Sequence, residues 1–161
     1  MENYTMEGRT YRYYGQEAPL YPFGYGLSYT TFHYQDLVLS PLVLPICANL
    51  SVSVVLENTG QRDGEEVVQL YLRWEQSSVP VPHWQLVAFR RVAVPAGQET
   101  KLSFQVVAEQ RAVWAQDWQL EPGTFTVFAG GQQPAQKTRV PSEVLSTQFT
   151  VTGTAQPLHG C

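Results

Sequence analysis

An all-β fold, an antiparallel sandwich of short strands, follows from three features of the sequence. Five runs alternate apolar with polar residues, the pattern of a strand with one buried face. Turn-forming pairs fall between them. No window of helical length carries an apolar stripe at spacings of three and four. Many short strands punctuated in this way describe a sandwich.

Taken in order, the first thirty or so residues are turn-rich and aromatic without a clean period. From Phe32 to Leu39 the chain alternates, then slips near Asp36 as a bulge would cause. Leu50, Val52, Val54 and Leu56 alternate cleanly with polar neighbours, and Val68, Leu70, Leu72 and Trp74 repeat the pattern. A further strand spans Leu86 to Val94. Leu102, Phe104 and Val106, then Phe125, Val127 and Ala129, then Leu145, Thr147, Phe149 and Val151 complete the set. Reversals are marked by Asn58-Thr-Gly60, Asp63-Gly64, Pro95-Ala-Gly97, Pro122-Gly123 and Gly130-Gly131. Long loops remain at residues 75 to 83, 109 to 119 and 132 to 143.

A chain of 161 residues can bury a core without help from metals or a disulfide framework. Hydrophobic residues make up 43% and charged residues only 15%, which is globular and not disordered. The net charge of -4 and the scatter of the ten basic residues exclude a nucleic-acid backbone as partner. No run has the length of a membrane-spanning helix, so no membrane partner is expected. Two cysteines are too few for a framework or a structural zinc site, so Cys47 is read as partly buried and Cys161 as a free thiol. Asn3-Tyr-Thr5 and Asn49-Leu-Ser51 match the N-glycosylation acceptor pattern, which makes Asn3 and Asn49 candidates.

The most unusual stretch is Tyr21-Pro-Phe-Gly-Tyr-Gly-Leu-Ser-Tyr-Thr-Thr-Phe32, in which no residue is charged. Rings of this size each bury about 150 Å² or more, so the segment is expected to lie against a surface as an extended anchor. The strand around Val68 points the same way: Val67 and Tyr71 make its second face too apolar for open solvent.

Catalytic patterns are weak by comparison. Among fourteen acidic residues no pair stands out for glycosidic chemistry, and no Asp or Glu pair is expected to line a pocket at the roughly 5 to 9.5 Å that such chemistry needs. Ser28 lacks the second glycine of a nucleophile elbow, and Gly24-Tyr-Gly26 lacks the third glycine of a dinucleotide fingerprint. His33, His83 and His159 are too scattered for a metal or a triad, and no cofactor is expected. Trp84, Trp114 and Trp118 fall in or beside loops, where exposed rings can serve as sugar platforms, whereas Trp74 alternates with core residues.

The aromatic segment, the preceding Gly8-Arg-Thr-Tyr-Arg-Tyr13, the stretch Glu57-Asn-Thr-Gly-Gln-Arg-Asp-Gly-Glu-Glu-Val-Val-Gln-Leu-Tyr-Leu72 and Glu121-Pro-Gly-Thr-Phe125 together resemble one known module. It is the C-terminal fibronectin type III-like domain of glycoside hydrolase family 3, and the Gly8 to Tyr13 approach is most like the β-xylosidase branch. The likeness implies an immunoglobulin/fibronectin type III-like β-sandwich at residues 32 to 153, a connector at 1 to 31 from an upstream catalytic portion, and a tail at 154 to 161. It also implies that this chain is a piece of a longer enzyme and does not hydrolyse glycosides alone. Asp117 precedes Trp118, as the family's nucleophile commonly precedes Trp, yet it lies inside the sandwich pattern and takes no catalytic role.

The expected partners are then the upstream catalytic domains, reached through Tyr21, Phe23, Tyr25, Tyr29, Phe32, Val67 and Tyr71. A stand-alone carbohydrate- or protein-binding module, using Trp84, Trp114 and Trp118, is the alternative. The family and the two acceptor patterns suggest an extracellular or secretory location.

Overall fold

A computed structural model describes residues 5 to 14, 19 to 134 and 143 to 161. Asn3 therefore lies outside the described residues, as does part of the loop after Gln132. The strands, in chain order, are β1 (Phe32–Ser40), β2 (Val43–Pro45), β3 (Leu50–Asn58), β4 (Gly64–Trp74), β5 (Gln85–Val94), β6 (Glu99–Val106), β7 (Val113–Trp114), β8 (Trp118–Leu120), β9 (Gly123–Gly130), β10 (Val144–Thr152) and β11 (Gln156–Pro157). A single helical turn at Thr10–Tyr13 precedes them.

Two sheets face each other. One has the order β1-β3-β6 and the other β2-β10-β9-β4-β5, while β11-β8-β7 forms a small third sheet. Pairing is antiparallel throughout except where β2 runs parallel to β10, Val43 to Pro45 beside Thr150 to Thr152. That exception arises because the chain leaves the first sheet after Ser40 and joins the edge of the second before returning to β3.

The alternation seen in the sequence becomes the core. Leu50, Val52, Val54 and Leu56 of β3 are buried, facing Val68, Leu70, Leu72, Phe125, Val127, Phe149 and Val151 of the other sheet. Each such side chain contributes about 1.5–3 kcal/mol on burial. Trp74 is buried among them, and its indole N–H donates to the Arg111 carbonyl at 3.2 Å. The slip expected near Asp36 is a bulge: the β1–β3 register shifts between Gln35 and Val38, and Asp36 takes a left-handed φ of 54°.

The cysteines depart from the sequence reading. Cys47 is exposed and bonded to Cys161, so neither thiol is free. The segment after Gly153 folds back to make this possible, since β11 pairs with β8 and Gln156 Nε2 lies 2.9 Å from Cys47 Sγ. Two cysteines do not amount to a framework, but a bridge spanning 114 residues restricts the unfolded chain strongly, by about 2–4 kcal/mol.

At the other end of β3 stands Asn58, fully buried, with its side-chain amide saturated. Nδ2 donates to the Arg62 carbonyl at 2.8 Å and the Val94 carbonyl at 2.9 Å. Oδ1 accepts from the Thr30 hydroxyl at 2.6 Å and from Gly60 N–H at 3.1 Å. Asn58→Ala is expected to lower stability by at least about 2 kcal/mol, because each buried partner left unpaired costs about 1–3 kcal/mol. Urea unfolding followed by tryptophan fluorescence would measure it, and a midpoint equal to wild type would contradict the assignment.

Candidate docking surface

The connector is laid over the outer face of β4 and held there by named contacts. Tyr11, in the helical turn, stacks on Phe23 with centroids 4.2 Å apart and meets the Tyr71 ring edge-on at 6.3 Å. Gln133 N–H donates to the Phe23 carbonyl at 2.8 Å, and its side-chain amide donates to the Tyr11 carbonyl at 3.0 Å. From the other side, His83 N–H donates to the Arg12 carbonyl at 2.8 Å and Leu86 N–H to the Tyr11 hydroxyl at 3.3 Å.

Gln69 completes the fastening. Its Nε2 donates to the carbonyls of Gly24 at 3.1 Å and Gly131 at 2.9 Å, and its Oε1 accepts from the Tyr71 hydroxyl at 2.6 Å. Gly24 sits at φ 81°, and a Cβ there would fall 2.1 Å from Gln69 Oε1. Only glycine lets the strap come this close.

This changes the reading of the second face of β4. Something does cover it, but the cover is the chain's own connector: Tyr71 is 0% exposed and unavailable to another domain. Burial also raises the Tyr71 pKa well above the usual phenol range, with the Tyr11 hydroxyl adding to it. Phe32 is likewise half-buried and packed on the core, and Tyr25 is half-buried and stacked on Tyr21 at 5.3 Å. Tyr21, Phe23, Tyr29 and Val67 remain exposed.

Leu20, Leu27 and Phe89 join them, and the sequence reading missed all three. Tyr29 is 95% exposed and Leu27 89% exposed. Leu27 was legible as an apolar residue inside the anchor. Phe89 needed the β4–β5 register, which sets it opposite Gln69 on the outer face.

Between the connector and the rim of the sheet lies a cleft of about 760 Å³, whose lining includes Tyr25, Tyr34, Glu66, Val67 and Glu143. Three carboxylates, Glu65, Glu66 and Glu143, thus line one cleft. All three are engaged: Glu65 accepts from the Arg91 guanidinium, Glu66 accepts from Val67 N–H at 2.9 Å, and Glu143 contacts His33 Nδ1 at 3.1 Å and accepts from Tyr34 N–H at 3.4 Å. The buried Tyr34 hydroxyl lies beside Glu66 without completing a hydrogen bond among the described residues, and its pKa is raised, first by burial and then by the Glu66 and Glu143 charges. Burial raises the Glu66 pKa as well, against the opposing pull of the Val67 N–H and the Tyr34 hydroxyl. No group of three or more His, Cys, Asp or Glu side chains is placed to hold a metal among the described residues.

A second aromatic cluster sits on the small sheet. Trp114 and Trp118 face each other across β7 and β8 with centroids 5.5 Å apart, edge to face, and are 59% and 49% exposed. Trp84 is not part of it: that ring is half-buried beside His83, with its indole N–H enclosed.

Residues 66–133, which run from the rim of β4 through the loop that clamps Phe23, match the fibronectin type III-like domain family. The chain thus carries a fibronectin type III-like match over these residues. The relatives that it resembles over most of its length are beta-glucosidases and beta-xylosidases. The chain is 40% identical over 124 residues to a periplasmic beta-glucosidase of Salmonella typhimurium, an alignment covering 75% of the chain and 16% of the relative. It is 34% identical over 133 residues to a putative beta-xylosidase of Formosa agariphila, covering 80% of the chain and 18% of that protein.

Solved structures agree. A β-glucosidase from Erythrobacter marinus superposes with a TM-score of 0.77 at 30% identity, over 86% of this chain and 18% of that one. A beta-glucosidase of Listeria innocua in complex with gluconolactone gives 0.73 at 32% identity, over 84% and 18%. The fibronectin type III-like chain thus spans less than a fifth of the proteins it matches, and the matched part is not their catalytic domain.

The cleft of this domain yields a pH test. With its folded-state pKa raised, ionised Glu66 destabilises the fold at neutral pH, and that cost disappears as pH falls below the ordinary carboxylate range. Glu66→Gln is therefore expected to melt above wild type at neutral pH and to coincide with it near about pH 4. Calorimetric melting across that range measures the gap, and a gap that widened in acid would refute the assignment.

Proposed function

We propose that this domain is the non-catalytic C-terminal accessory sandwich of a family 3 glycoside hydrolase, docked on the enzyme's catalytic domains through its connector face. The observation that carries the reading is the exposure of Leu20, Tyr21, Leu27, Tyr29, Val67 and Phe89, large apolar side chains that no described residue buries. Large apolar side chains gathered on the connector and the strand face beneath it mark an interaction site. The connector at residues 1 to 31 would carry the chain from those domains into the sandwich.

The parent reaction is hydrolysis of an O-glycosidic bond, as the relatives' names indicate. The Gly8 to Tyr13 approach favours the β-xyloside class. An extracellular or secretory location fits the disulfide, which persists in oxidising compartments, and fits the periplasmic relative.

The test is complementation. Catalytic domains lacking the sandwich are expected to gain thermal stability and activity when this chain is supplied. Leu27→Ser with Tyr29→Ser should weaken the effect tenfold or more, since each lost apolar contact is worth about 1.5–3 kcal/mol. No effect of the wild-type chain on either property would defeat the proposal.

A second reading, carbohydrate binding, is favoured by the exposure of Trp114 and Trp118. Soluble xylan should then quench tryptophan fluorescence saturably, and Trp114→Ala or Trp118→Ala should each reduce the affinity by about two- to tenfold, at about 0.5–1.5 kcal/mol per stacked ring. A flat titration would leave only the docking reading.

A further inference from the structure

We infer that Asn49 is an N-glycosylation site, carrying an oligosaccharide on the pole of the sandwich opposite the connector. The acceptor pattern Asn49-Leu-Ser51 supplies the chemistry, but such triplets are common and geometry has to select among them. Here Asn49 and Ser51 are exposed while Leu50 between them is fully buried, so the side chains to be modified and recognised point to solvent. Among the described residues the Asn49 side chain makes no hydrogen bond that a sugar would displace.

The timing of folding also favours modification. In the folded protein the turn before Asn49 is held by the Cys47–Cys161 bridge and by Arg111, whose guanidinium donates to the carbonyls of Ile46 at 3.1 Å and Ala48 at 2.6 Å. Both clamps come late. Arg111 follows Ala48 by 63 residues and Cys161 follows Cys47 by 114, so the acceptor stays unclamped while those residues are being made. At about 5–20 residues per second this leaves several seconds or more for transfer.

In that transfer the Asn49 Nδ2 bonds to the anomeric carbon of a polyprenyl-diphosphate-linked oligosaccharide. The carbon–oxygen bond to the diphosphate breaks with its electron pair, and the amide loses one proton. The disulfide independently calls for the oxidising compartment in which such donors are used.

Position makes the site compatible with docking without depending on it. Asn49 precedes β3, whose far end is Asn58, and a rise of about 3.3 Å per residue separates the two by roughly 30 Å. Thr30 of the connector bonds Asn58, so a glycan at Asn49 lies away from Leu27 and Tyr29.

The full protein, purified from its natural source and treated with peptide-N-glycosidase in heavy-oxygen water, tests this. The Asn49 peptide is expected to be recovered as labelled Asp, and Asn49→Gln expressed in the same host should run at lower mass than wild type by one glycan. Recovery of the Asn49 peptide unlabelled, whether or not Asn3 is labelled, would overturn the inference.

Discussion

The saturated amide of Asn58 is the constraint on which the arrangement of this molecule depends. It stands where three pieces of chain meet: the last residue of β3, the end of the β5 strand at Val94, and the connector at Thr30. Its backbone is used as fully as its side chain, with its N–H donating to the Gln98 carbonyl and its carbonyl accepting from Gly97 N–H, both at 2.9 Å. A buried amide with every donor and acceptor matched specifies one geometry, because any slip would strand polar groups away from water. Thr59 adds a second tie to the connector by donating to the Thr31 carbonyl at 2.9 Å.

From that knot the connector runs out over β4, and the consequence is a strand buried on both faces. Residues 68 to 72 are buried without interruption, Val68, Leu70 and Leu72 in the core and Gln69 and Tyr71 under the strap. Gln69 is a polar residue in the middle of an apolar strand because it hydrogen-bonds the strap backbone at Gly24 and the backbone after β9 at Gly131. The strap shields one aromatic layer and presents another, so Tyr71 lies beneath while Tyr29 and Leu27 face outward.

Alternation made the sandwich legible: β3, β4, β6, β9 and β10 each announce one buried face, and even the bulge at Asp36 left a slip in the pattern. What the pattern could not carry were contacts between residues distant in sequence. Period alone showed that Tyr71 needed a cover, but the Tyr11–Phe23 stack that supplies it joins residues twelve apart with no period in common. Phe89 reads as one more apolar residue in an apolar strand until register places it opposite Gln69. Cys47 and Cys161 gave no sign of pairing because their approach depends on β11 folding against β8. Among the tryptophans, exposure was decided by a two-residue strand pairing too short to leave a period.

The bridge between Cys47 and Cys161 has a mechanical meaning. It joins the start of β3 to the folded-back segment after Gly153, so everything from β3 to β11 lies within one covalent ring. Along the covalent chain, tension applied between the connector and Cys161 would pass through β1, β2 and the bridge, and the ring would feel it only through the contacts that fasten the strap and β1. Once those contacts gave way, the strap and first strand would peel off while the backbone inside the ring stayed unextended.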